Sequence, residues 1–157
     1  PQPETLLPQP SEATMSHIAK IKLQIKDLNI LKRTCERLNL RFVENQKTYT
    51  WYGRVVHPED LKIHTDITEE QLGKCDHAIQ VPTAKLGYEI GVIRRGDEYI
   101  LLFDDWDQGL RKAVGHHGEL LKQAYTAEVV KAQAKRHNYF YSEKKVDNTL
   151  KITLTAV

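Results

Sequence analysis

The chain has 157 residues, 40% hydrophobic and 28% charged, with 23 basic against 21 acidic side chains. That is enough apolar material for one core of ordinary domain size, and too even a charge balance for a surface given over wholly to gripping a polyanion. The longest apolar run, Tyr99–Phe103, is far too short to cross a membrane, and two cysteines (Cys35 and Cys75) cannot make a disulfide scaffold, so a reducing cytoplasm without a secretory leader is the expected setting.

Residues 1–14 hold four of the six prolines and show no amphipathic period, which reads as an extended tail or appended remnant. The folded part, a single domain over residues 15–157, is expected to start near Met15. Ile21, Leu23 and Ile25 alternate with lysine and glutamine, the period of a half-buried strand. Asp27 stands where a helix N-cap belongs, and Leu28, Leu31, Cys35 and Leu38 follow as one apolar stripe that Asn39 ends. Phe42–Val43 and Thr48–Val56 predict a hairpin turning at Asn45–Gln46. Residues 57–87 read as a lightly packed acidic excursion, with one helical turn at Thr68–Leu72 and a brief strand at Ile79–Val81. Tyr88–Arg94 and Glu98–Phe103 flank Arg95-Gly96-Asp97, the clearest hairpin in the chain. Asp107 is placed to cap a short helical turn, and a long helix is expected from Glu119 to His137. Tyr139–Lys144 and Thr149–Thr155 then form a last hairpin. The order predicts an α+β fold, an antiparallel sheet built largely of hairpins with two main helices on one face.

Three blocks resemble a family of uncharacterised conserved proteins that includes a hypothetical chloroplast reading frame and bacterial and phage relatives. They are Met15-Ser-His-Ile18 with Ile21–Ile25 and Asp27; Tyr88–Ile93 with Leu101, Asp104 and Trp106; and Gly118–Tyr125, nearest the phage type. The resemblance implies a partner of the AAA-type ATPase class, near which bacterial relatives are encoded. It implies no catalytic residues, and a plastid stroma for the plastid relatives.

The candidate chemistry is thin. His17 shares strand parity with Ile21 and is either a ligand-facing imidazole or one satisfied by a backbone carbonyl. His57, His64, Cys75 and His77 are chemically acceptable to zinc, but their spacing is not that of a zinc site. Asp104, Asp105 and Asp107 around Trp106 can hold Mg²⁺ beside a phosphate, or simply end a strand and cap a helix. His116 and His117 at the start of the long helix suit an anion. Lys122, Lys131, Lys135 and Arg136 make that helix basic, the stretch 108–138 being net positive by four.

Charge is also segregated along the chain. Residues 15–41 carry seven basic and two acidic side chains, and residues 57–76 six acidic and two basic. Complementary patches suit association with a protein partner or a second copy. The expected function is therefore a small non-catalytic adaptor or regulatory protein, with no cofactor and no resident metal. The alternative is a nucleic-acid or nucleotide binder using the basic helix, His17 and the His116–His117 corner. A metal-dependent phosphate-handling enzyme comes third.

Overall fold

The computed structural model describes residues 18–52 and 72–157. Its first strand, β1 (Ile18–Ile25), buries Ile21 and Ile25, as the alternation requires. The Asp27 carboxylate accepts the Asn29 and Ile30 amides at 2.8 and 3.3 Å and so starts α1 (Leu28–Arg37), which buries Leu31 and Cys35. Asn39, at φ 59°, makes the left-handed step that ends the helix.

The next strand, β2 (Arg41–Val43), departs from expectation. It pairs with β3 (His77–Gln80) rather than with the segment after Asn45. Past the turn the chain crosses to the other side of the sheet, where Thr48 bridges Lys74 and the Tyr49 ring lies over Gly91. Tyr49, Leu72, Ala78, Ile93, Ile100 and Leu102 form a second apolar cluster on that side, with Trp51 and Cys75 against it. Of the predicted 57–87 excursion, residues 57–71 lie outside the described residues. The remainder is not lightly packed. Ala78 and Ile79 are fully buried, and β3 sits between β2 and β4 (Glu89–Arg95).

β4 and β5 (Glu98–Asp104) form the predicted hairpin, and the sheet runs β1-β5-β4-β3-β2 with every pairing antiparallel. Because both faces are covered over β4 and β5, these strands read as continuous apolar runs, Ile90–Ile93 and Ile100–Phe103. Opposite the second cluster, α1, α2 (Gln108–Val114) and α3 (Glu119–Arg136) cover the main core. The fold is thus mixed α+β, with helices packed against an antiparallel sheet. The last hairpin, β6 (Tyr139–Val146) and β7 (Thr149–Ala156), is a separate two-stranded sheet joined to α3 and not to the five-stranded one. Among the described residues no helix is long and apolar enough to cross a membrane.

Gly109, in the first turn of α2, tests the packing of this frame. The Thr83 carbonyl occupies the place a Cβ would take, and the Thr83 hydroxyl donates to the Gly109 carbonyl at 3.2 Å. Alanine is the better helix former, yet Gly109→Ala is expected to destabilise by about 1–2 kcal/mol, because backbone must move to admit the methyl. Chemical denaturation with an unchanged slope will register it; a neutral or stabilising result means that the loop around Thr83 gives way freely.

Candidate functional site

Asp107 organises the surface beside α2. It is fully buried, and its two oxygens accept the amides of Lys85 (3.0 Å), Leu86 (2.7 Å), Leu110 (3.2 Å) and Tyr88 (3.5 Å). Burial alone would raise its pKa, but these amide hydrogen bonds outweigh that and hold the carboxyl below its usual range. The residue therefore caps α2 and clamps the loop 82–88 against it.

The clamp presents a slot of about 290 Å³ lined by Lys85, Leu86, Trp106, Gln108 and Arg111. Leu86 is 52% and Trp106 39% exposed, although both are large and apolar. A broader hollow of about 580 Å³ shares Lys85 and Gln108 with the slot and continues past Lys112 to Leu38 and Leu40. The two together form one groove whose side chains are apolar, amide, hydroxyl (Thr83) or cationic, with Asp107 turned inward beneath it. Such a surface can hold an apolar side chain flanked by carboxylates.

The neighbouring acids are also committed. Asp104 accepts the Tyr52 and Trp106 amides at 3.3 and 3.0 Å, and Asp105 lies 3.7 Å from His116 Nε2. Among the described residues no three histidine, cysteine or acidic side chains are grouped to hold a metal ion. His17, His57 and His64 lie outside the described residues. His77 packs between Phe42 and Tyr99, and its Nδ1 accepts the Asn45 amide at 2.9 Å. Burial lowers its pKa, so the neutral ring is the favoured form there. The Cys75 thiol, pushed up to about 11 chiefly by burial, donates to the Gln46 carbonyl, the opposite of an activated nucleophile.

At the start of α3, His116 and His117 stack edge-on with centroids 4.5 Å apart. The His117 amide, which an anion would need, is already taken by Glu119 Oε1 at 3.0 Å. That hydrogen bond is the main reason the Glu119 pKa is lowered. The corner carries its own carboxylate.

Nor does the helix gather its cations. At about 100° per residue, Lys131 lies about 180° around the axis from Lys122. Lys122 faces a groove with Leu23, Leu150 and Ile152, while Lys131 lies over the Tyr141 ring at 6.0 Å. Lys135 and Arg136 are exposed at the far end. What sequence reasoning missed is the slot. Its apolar pair, Leu86 and Trp106, is separated by 20 positions and falls on no common period; a tryptophan just past a strand end was the only signal available. Compared with family models, curated proteins and solved structures, the chain matches none.

Proposed function

We propose that this chain is a small adaptor or regulatory protein that acts by docking a protein partner through the groove beside α2. The observation that carries the reading is the exposed Trp106–Leu86 pair flanked by Lys85 and Arg111, with Lys112 in the adjoining hollow. Tryptophan and arginine are the side chains most enriched among residues that dominate binding energy, and cations flanking an apolar slot favour an acidic segment carrying one apolar anchor. The resemblance noted above makes an AAA-type ATPase the first partner class to test. Two free cysteines, one buried, fit a reducing cytoplasm as the site of action.

The groove is tested by recovering partners on the immobilised chain, identifying them by mass spectrometry, and repeating the capture with Trp106→Ala and Arg111→Glu. The expected result is an identified partner whose affinity falls at least about tenfold in each variant, equivalent to about 1.4 kcal/mol or more, with thermal unfolding little changed. Equal capture by both variants, or turnover in a substrate screen without any partner, refutes the reading.

A further inference from the structure

The closing hairpin has a face that the domain leaves unused. In an antiparallel pair, directly opposed residues share a face and successive pairs alternate. Tyr141 is opposite Leu154 and Glu143 opposite Ile152; this face turns toward α3, and Glu143 meets Arg37. The other face sets Ser142 opposite Thr153 and Lys144 opposite Lys151, with Phe140 and Val146 toward its two ends. All of these are exposed, Phe140 at 64%.

Two lysines directly opposed repel one another, and neither forms an ion pair with a described residue. No acidic side chain stands on this face; Glu143 is on the other one, and Asp147 is in the turn. Lys135 and Arg136, both exposed, lead directly into β6 and add positive charge at the base of the hairpin. The centre of the face is thus lysine and hydroxyl, with its apolar residues at the ends. Protein interfaces have the reverse pattern, an apolar centre from which lysine is depleted.

We propose that this face is a two-stranded ribbon that binds duplex DNA in the major groove. A groove about 12 Å wide admits such a ribbon. Eight residues per strand reach about 27 Å, or roughly eight base pairs. Lys144 and Lys151 contact phosphates and release counterions, while Ser142 and Thr153 have the donors and acceptors that base edges use. Duplex RNA is not the match, since its major groove is deep and narrow. The ribbon shares no residue with the groove beside α2, so the two proposals stand or fall separately.

The test is fluorescence anisotropy of a labelled DNA duplex of about 20 base pairs, titrated with the full chain from about 50 to 200 mM salt. Binding is expected to weaken steeply with salt. The double variant Lys144→Ala, Lys151→Ala is expected to bind at least about tenfold more weakly at the lowest salt, with the slope of log affinity against log salt smaller by about two. Its thermal midpoint should hold or rise, because a repulsive pair has gone, and Lys122→Ala should bind like the unaltered chain. Three results overturn the proposal: no duplex binding at about 50 mM salt, equal binding by the double variant, or equally tight binding of duplex RNA. Competition by poly-L-glutamate as effective as by DNA at equal charge also overturns it, by making the ribbon a contact for acidic protein.

Discussion

Replacing Asp107 by alanine is expected to cost about 3–5 kcal/mol of folding stability, on the order of 10 °C in the thermal midpoint. Three of its four amide hydrogen bonds are 3.2 Å or shorter, and each is made to a charged acceptor inside the protein. The amides of Lys85, Leu86 and Leu110 lose their shared acceptor together. Asp107→Asn keeps one acceptor oxygen and should lose about half as much. The pH dependence identifies the carboxylate. Its folded pKa is lowered, so between that value and the unfolded value of about 3.9 the unfolded chain binds more protons and stability rises with pH. The contribution is complete above about pH 4 and is lost as pH falls through the folded value. Denaturant titrations at neutral and strongly acid pH should therefore show the Asn variant converging on the unaltered chain in acid. A constant gap across pH would mean that the side-chain amide's N–H donors facing backbone N–H groups, rather than the lost charge, explain the loss, since Asn and Asp are nearly the same size. Because the same carboxylate holds Lys85 and Leu86 beside Trp106, partner capture should fall in either variant even at temperatures where it remains folded.

The residues around Asp107 also show how far the sequence could be read. A carboxylate after a strand and before an apolar run predicts an N-cap, and Asp107 is one. The same local logic placed Asp27, Asn39 and the β4–β5 hairpin, because each depends on neighbours within a few positions. Nothing local indicates that Asp107 also binds the loop 82–88 from about twenty residues away. β2 fails for the same reason. The stretch Thr48–Tyr52 has the composition of a strand, but its apolar side chains serve a second buried face, with Tyr49 laid on the space that Gly91 leaves. Propensity indicates that such a segment is extended, not which strand it joins. A strand was legible at Ile79–Val81, overlapping β3, but its burial was obscured, because a net acidic count over a long window says little about four residues, His77–Gln80, that bury three side chains.

The charged residues divide along the same line. The counts along α3 were right, yet helical geometry spreads Lys122 and Lys131 to opposite sides. His116 and His117 stood where an anion would be held, but Glu119, two residues on, accepts the His117 amide itself. A groove made from three separate elements, carrying Leu86, Trp106 and Arg111, becomes visible only once the loop 82–88 is clamped.

Arg37 is the second residue whose replacement should have a large effect, and its effect should be local. Its Nη1 donates to Glu128 Oε2 at 3.1 Å and Glu143 Oε1 at 3.0 Å, while Nη2 pairs with the other Glu143 oxygen. One guanidinium thus joins α1, α3 and β6. Tyr141 adds its hydroxyl to Glu143 at 2.8 Å. Burial raises the Glu143 pKa, but the hydrogen bonds from Arg37 and Tyr141 outweigh it and hold the carboxyl low. Among the described residues, Arg37→Ala leaves the buried Glu128 with only Arg33, whose Nε is 3.9 Å away. A fully buried pair broken in this way costs about 3–5 kcal/mol; with Arg37 and Glu143 partly exposed, about 2–3 kcal/mol is expected. A two-stranded hairpin is marginal by itself, and β6–β7 otherwise keeps the Gln123 to Asn148 hydrogen bond and the contact of Lys131 with Tyr141. Amide hydrogen exchange should therefore show β6 and β7 losing protection while β4 and β5 keep theirs. Arg37→Lys should not restore it, since a single ammonium cannot present two parallel donors to Glu143 while reaching Glu128. Adding Glu128→Gln to Arg37→Ala removes the stranded charge and should recover about 1 kcal/mol of global stability. It should leave the hairpin unprotected, because Glu143 still lacks its partner. Equal loss of protection in every strand of both sheets would show that Arg37 supports the whole core and is no separate staple for the hairpin.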